Sequence, residues 1–303
     1  MNTPIRTVLG RNVVAMVTPM LPDGELDLVS TQALVERLVG HCDGLVVCGT
    51  TGEAPTLSDD EVASVVRTAA RAAGGRAPVI AGVGTNDTRH AVRLAEAARD
   101  AGADALLVLA PYYSRPTQRG IVAHCEAVLG AVDLPIMLYD NPGRTGVEIA
   151  PQSVAELARH RNVVAIKDSR GDLDHAMTLS AETGVSTYCG IDDLNLPFLA
   201  IGAAGLVSVV ANVRPETTAR MIDAVDAGDL VTARRIALEL RPLVRRLAHT
   251  SQGAIVAKAA LALTGTISHS TVRLPLVEDG AEDVARLADL VAVGPTSAPA
   301  GSS

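Results

Sequence analysis

Eight short apolar runs, each followed by a longer stretch of helical periodicity, recur between residues 13 and 227. This alternation limits the folds open to the chain more than any other feature. The runs lie at 13–17, 45–47, 79–81, 105–109, 136–139, 163–166, 187–189 and 206–209. The helical stretches lie near 28–40, 58–73, 87–101, 118–131, 151–160, 172–183, 193–202 and 215–227. The runs are apolar throughout rather than alternating, as expected of parallel strands covered on both faces. Eight βα units in series point to an α/β fold of the (β/α)8 TIM barrel type. A doubly wound open sheet is the competing arrangement.

Local signals support these boundaries. Ser58-Asp-Asp-Glu61 has the form of a capping box. Asn86 and Asp87 stand where a helix cap is needed, and Pro215 sits at a helix start. Gly74, Gly75 and Gly102 mark helix ends. Further helices are expected near 229–248, 252–264 and 281–292. The simplest partition is a barrel over 8–228, a C-terminal helical appendage over 229–292, and a tail over 293–303 expected to be disordered from its Pro, Ser, Ala and Gly content.

A chain of 303 residues buries about 75% of its unfolded surface, so the core needs no disulfide or metal. Four cysteines (Cys42, Cys48, Cys125, Cys189) show no CxxC spacing and read as small buried residues of a reducing, cytoplasmic setting. The net charge is −8 and aromatics are 2% of residues. Neither a basic footprint nor a stacking platform for nucleic acid is present. The first residues lack the pattern of a secretory signal. The uncharged window 194–213 has the length of a membrane span, but Asn195, Pro197, Gly202, Gly205 and Asn212 interrupt it. It reads as a buried helix, a glycine break and a buried strand, with no membrane role.

Of 26 basic residues, only Lys167 and Lys258 are lysine. A chain that uses Arg wherever charge suffices draws attention to the lysines it keeps, because a guanidinium does no amine chemistry. Lys167 closes the sixth apolar run, at the strand end where barrels place their active sites. Desolvation there favours a nucleophilic amine. Lys258, on a C-terminal helix, reads as a surface residue or an oligomer contact.

Other polar residues cluster at strand ends. Gly49-Thr50-Thr51-Gly52-Glu53 follows the second strand and offers hydroxyls and N–H groups to a carboxylate, though an ordinary tight turn fits the same residues. Pro111-Tyr112-Tyr113 follows the fourth strand. Tyr139 ends the fifth and is followed by Asp140-Asn141-Pro142-Gly143-Arg144-Thr145, a turn that presents Arg144 either to a ligand or to a surface ion pair. Gly82-Val83-Gly84 is not a dinucleotide fingerprint, and the seven histidines suggest no metal site. Cys48 lacks a histidine partner and reads as packing.

GTTGE, APYY, LYDNPGRTG and IKDS, in this order and spacing over roughly residues 8–290, resemble the dihydrodipicolinate synthase/N-acetylneuraminate lyase family. The PGRTG turn resembles the branch that condenses pyruvate with L-aspartate 4-semialdehyde on the route to diaminopimelate and lysine. The resemblance implies a lyase that forms a Schiff base and needs no metal or organic cofactor. Lys167 would form an imine with pyruvate. Tyr139 would be the acid/base, hydrogen-bonded to Thr50, with Tyr113 reaching in from a neighbouring subunit. Thr51 would hold the pyruvate carboxylate and Arg144 that of the second substrate. Gly190 and Val207 would line the lysine pocket.

A homotetramer built from two tight dimers is implied. Two alternatives stay open: a pyruvate-dependent aldolase or dehydratase acting on a sugar-derived 2-keto acid, and a catalytically silent binding paralogue. Members inhibited by L-lysine bind it beside the GTTGE turn, with a Glu for the ligand's ammonium. This chain keeps Asn86 and Tyr112 there, but has His90 where that Glu is expected, with Ala54, Asp59 and Val62 at neighbouring positions.

Overall fold

The computed structural model describes residues 9–249 and 252–292. The expected start of the barrel at residue 8 and the expected tail both lie outside them. Eight strands form a closed parallel barrel in chain order: β1 (Asn12–Ala15), β2 (Gly44–Val47), β3 (Val79–Gly82), β4 (Ala105–Leu109), β5 (Ile136–Asp140), β6 (Val163–Asp168), β7 (Ser186–Cys189) and β8 (Gly205–Ser208). β1 pairs with β8 through Val13 and Val207, which closes the ring and excludes the open sheet.

Among the described residues nine α-helices accompany the strands: α1 (Leu28–Leu38), α2 (Asp59–Ala73), α3 (Thr88–Asp100), α4 (Gln118–Ala131), α5 (Pro142–Thr145), α6 (Pro151–Leu157), α7 (Leu173–Thr183), α8 (Asn195–Ala200) and α9 (Pro215–Asp226). α10 (Leu230–His249), α11 (Gly253–Leu263) and α12 (Ala281–Ala292) follow.

The capping box at Ser58 forms with both of its hydrogen bonds. Asp87, rather than Asn86, caps α3 by accepting from the Arg89 N–H. Gly74 ends α2 in the left-handed conformation that a residue without Cβ adopts cheaply. The window 194–213 resolves into α8, a turn at Gly202 and β8. No helix among the described residues is long and apolar enough to cross a membrane.

Side-chain parity sorts the core into two layers. Inward positions, among them Val13, Val46, Ile80, Met137 and Ala165, fill the barrel interior. Outward positions, among them Val14, Leu45, Leu138 and Ile166, pack against the helices. Tyr139 belongs to the inner layer, and Lys167 sits two residues beyond the inward Ala165 on β6. The same alternation turns Asp140 and Asp168 outward, where they tie down the loops that follow. Asp140 accepts from the Ile149 N–H at 3.0 Å. Asp168 accepts from the N–H groups of Arg170 at 2.8 Å and Gly171 at 3.3 Å. Burial pushes both carboxyls up, Asp140 to about 6.

Candidate active site at the barrel mouth

β5 and β6 pair so that Tyr139 and Lys167 are Cα partners at the mouth. Lys167 is 6% exposed. Its Nζ lies 4.3 Å from the centroid of the Tyr139 ring, a cation–π distance. No carboxylate pairs with this amine among the described residues. Burial alone would push the Tyr139 phenol up. The Lys167 ammonium, donation from Asn141, and lesser contributions from Arg144 and Ser169 outweigh burial and hold the phenol below its ordinary value. A phenol eased toward ionisation beside a buried amine suits proton transfer at that amine.

Sequence reasoning assigned no role to Asn141. Its Nδ2 donates to the Tyr139 hydroxyl at 2.9 Å, and its Oδ1 accepts from the Arg144 N–H at 3.2 Å. One side chain thus orients the phenol and caps α5, the short helix formed where only a turn was expected. The available signal was an Asn immediately before Pro-Gly, a helix cap ahead of an N1 proline. The expected hydrogen bond between Tyr139 and Thr50 is not formed; the Tyr139 hydroxyl accepts from the Asn141 amide. Thr50 nevertheless faces the same cavity of about 290 Å³ as Tyr139, Arg144 and Tyr112. Arg144 is exposed at its edge and pairs with no carboxylate among the described residues.

Gly190, directly beyond β7, is fixed by close approach. A Cβ placed there would lie 2.2 Å from Ser169 Oγ and 2.8 Å from Lys167 Cε. Val207 is buried in the inner layer of β8, one residue beyond the Cys189–Leu206 pair. The close approach at Gly190 is to Lys167 Cε, the carbon that carries the amine. Gly190→Ala is expected to displace the amine and lower turnover by about 10²-fold, the order that a 1 Å misplacement costs. Steady-state rates with circular dichroism as a folding control check this, and an Ala variant at wild-type rate would refute it.

Thr51 stands in the turn after β2, closed by Gly52 N–H to Gly49 O at 3.0 Å and Ala54 N–H to Gly49 O at 3.2 Å. Tyr113 is not brought to the other site residues within this chain. It is 89% exposed, with φ of 71°, a conformation that a bulky side chain rarely holds. Cys48 is buried and its thiol is pushed up to about 12 by desolvation, which keeps it inert.

Lys258 corrects the sequence reading. It is wholly buried on α11 and ion-paired with Glu53, which is also fully buried. A helix apolar on every side is a buried helix. GAIVAKAALAL carried that signal.

The profile of the dihydrodipicolinate synthetase family matches residues 8–293. A 4-hydroxy-tetrahydrodipicolinate synthase of Kineococcus radiotolerans is 48% identical over 298 residues, covering 98% of this chain and 96% of that one. The crystal structure of dihydrodipicolinate synthase from Aquifex aeolicus superposes with a TM-score of 0.89 at 38% identity, covering 93% of this chain and 97% of that one. A chloride-inhibited dihydrodipicolinate synthase from Acinetobacter baumannii, solved in complex with pyruvate, gives 0.90 at 36% identity over 94% and 98% of the two chains.

Proposed function

Because the chain belongs to the dihydrodipicolinate synthetase family, we propose that it is a lyase of the class I aldolase type that condenses pyruvate with L-aspartate 4-semialdehyde to 4-hydroxy-tetrahydrodipicolinate. The observation that carries this reading is the buried Lys167 amine over the Tyr139 ring, with the unpaired Arg144 at the same mouth.

The chemistry follows from the amine. Lys167 Nζ attacks the ketone carbon of pyruvate, and loss of water leaves an iminium ion. That cation takes up the electron pair released when the pyruvate methyl loses a proton, so the lysine itself supplies the electron sink of a cofactor-free reaction. The resulting enamine carbon attacks the aldehyde carbon of the second substrate, and its oxygen takes a proton. The semialdehyde's own amine then attacks the iminium carbon, expels Lys167 and closes the ring. Tyr139 moves protons at the imine. A phenol does this without placing a fixed carboxylate charge beside the cation.

Thr51, through its hydroxyl and N–H, holds the pyruvate carboxylate. Arg144 offers a planar fork to the carboxylate of the semialdehyde. A sugar-derived aldehyde carries no such carboxylate, and this favours the amino-acid substrate. Tyr113 belongs to the site of a neighbouring subunit in a homotetramer of two tight dimers. Its exposure and left-handed backbone support that placement. A reducing, cytoplasmic setting is part of the same reading, supported by four buried free thiols. A coupled assay with pyruvate and L-aspartate 4-semialdehyde tests the whole. Turnover with sugar-derived aldehydes but not with the semialdehyde would overturn it.

Feedback by L-lysine is expected to be weak. His90 Nε2 lies 2.6 Å from Asp59 Oδ1, so the nearest acid is already engaged by the imidazole that stands where an ammonium partner is expected. Ala54, Asp59, Val62, His90 and Tyr112 line the same cavity as Thr50. A neutral imidazole is a poor ammonium partner and a protonated one repels. Losing one charge-assisted hydrogen bond costs about 1.5–3 kcal/mol, or roughly ten- to 150-fold in affinity. Half-inhibition is expected above about 1 mM, the region of ~4 kcal/mol binding. A titration at subsaturating pyruvate decides it, and half-inhibition well below that concentration would show that Asp59 or another acid serves the ammonium.

A further inference from the structure

The turn from Gly49 to Ala54 is closed by its own backbone, but its place relative to the barrel depends on two ties to residues outside it. One is Thr18, whose hydroxyl donates to the Gly52 carbonyl at 2.7 Å. The other is the Glu53 side chain. Glu53 has φ of 57°, a left-handed conformation that glycine or asparagine would hold at lower cost. What glycine would lack is the carboxylate.

Both carboxylate oxygens of Glu53 are used. Oε1 accepts from Lys258 Nζ, and Oε2 accepts from the Arg273 N–H at 2.9 Å. Lys258 also donates to the Thr271 carbonyl at 2.6 Å. The Arg273 guanidinium then reaches back over the same region. It donates to Thr56 O at 2.7 Å and Gly24 O at 2.8 Å, and pairs with Glu61 at the start of α2. The segment after α11 is thereby strapped to the loops after β1 and β2.

Cohesion alone does not account for this arrangement. Well-packed apolar residues replace buried ion pairs without loss of stability in several proteins, whereas an unpartnered buried charge is costly. A pair retained in a dry site fixes one geometry among several compact ones. The lysine is also one of two in a chain that otherwise uses arginine. Its neighbours on α11 from Ala254 to Leu261 are all buried, so its ammonium finds its partners in Glu53 and Thr271. Burial pushes the Lys258 ammonium below its ordinary range, while the Glu53 carboxylate opposes that shift.

We propose that Lys258 is a positioning residue for pyruvate: through Glu53 it sets the placement of the Thr50–Thr51 turn and neutralises a carboxylate two residues from Thr51. The proposal rests on the reading of Thr51 as the group that holds the pyruvate carboxylate. Without Lys258, an uncompensated Glu53 charge repels an incoming carboxylate and the turn loses its outer anchor. Because the turn holds pyruvate in ground and transition states alike, the loss falls on pyruvate binding rather than on turnover.

The test compares Lys258→Met, Glu53→Gln and the double variant with the wild type. It reads the pyruvate concentration that half-saturates the borohydride-trapped Lys167 adduct, the kcat and KM for pyruvate, and the melting temperature. Lys258→Met is expected to raise half-saturating pyruvate at least about tenfold, with kcat within about threefold. In the double variant the uncompensated charge is gone, so the melting temperature returns toward the wild-type value and the repulsive part of the binding loss is relieved, while half-saturation stays above wild type because the turn still lacks its outer anchor. A folded Lys258→Met with wild-type half-saturation, or a double variant that recovers binding together with stability, overturns the proposal.

Amide exchange of the wild-type chain covers the case in which the variants do not fold. Coupling is reciprocal, so pyruvate is expected to slow exchange at the Arg273 N–H and along α11 as well as in the turn. Protection confined to residues 49–54 overturns the proposal. A wild type that traps no pyruvate overturns the catalytic reading and this proposal with it. A wild type that traps pyruvate beside an indifferent Lys258→Met overturns the positioning role alone.

Discussion

Lys167→Arg is expected to abolish the pyruvyl adduct trapped by borohydride and to lower turnover by at least about 10⁴-fold, the order lost when a covalent nucleophile is removed. The substitution keeps the charge at the barrel mouth and removes only the chemistry, because a guanidinium does not form the imine. Intact mass and peptide mapping of wild-type protein reduced in the presence of pyruvate should place one adduct on Lys167. Lys258 is the internal control, since it is 0% exposed and donates to both Glu53 and Thr271. Label on Lys258, or none at all, would overturn the assignment of the nucleophile.

Tyr113→Phe is expected to slow turnover by about 10²–10⁴-fold, the range for a lost acid–base group, although the side chain touches no other site residue of its own chain. The physical ground is its exposure together with its backbone. A tyrosine that is 89% exposed at φ of 71° is held in a costly conformation by its loop. A neighbouring site gives that placement a use. Mixing inactive Tyr113→Phe with inactive Lys167→Ala subunits should therefore restore activity, because a mixed dimer contains one site with both residues. Absence of complementation after verified subunit exchange would show that Tyr113 serves its own chain.

The barrel was legible because its signals are local. Runs such as Ala105–Leu109 are apolar from end to end, and Ser58 with Glu61 marks a helix start within four residues. Lys167 was legible for a related reason: strand parity and strand end together place it at the mouth. Partners that come from distant sequence were harder to read. Lys258 reads as a surface residue or an oligomer contact because a charge on a helix usually faces water, and its carboxylate partner lies 205 residues away. The rarity of lysine, which identified Lys167, applied to Lys258 with equal force. The link from Asn141 to Tyr139 was hidden by a different ambiguity. Asn before Pro-Gly reads as a turn, and only the formation of α5 turns its amide back onto the phenol. The place proposed for Tyr113, in a neighbouring subunit's site, would leave no periodic trace in one chain, which is why this residue is reached through resemblance alone.

Both lysines are buried, Lys167 at 6% and Lys258 at 0%, and there are no others in the sequence. The exterior of the folded protein is thus without lysine ammonium groups. Acylating reagents and amine cross-linkers find no lysine handle on its surface. Enzymes that write acetyl or ubiquitin marks on accessible lysines find no acceptor either. The one lysine at the barrel mouth, on the strand end beside Tyr139, is the proposed nucleophile. For the folded chain, lysine-directed chemistry and active-site chemistry become the same measurement: a small carbonyl reagent found on lysine counts working sites directly.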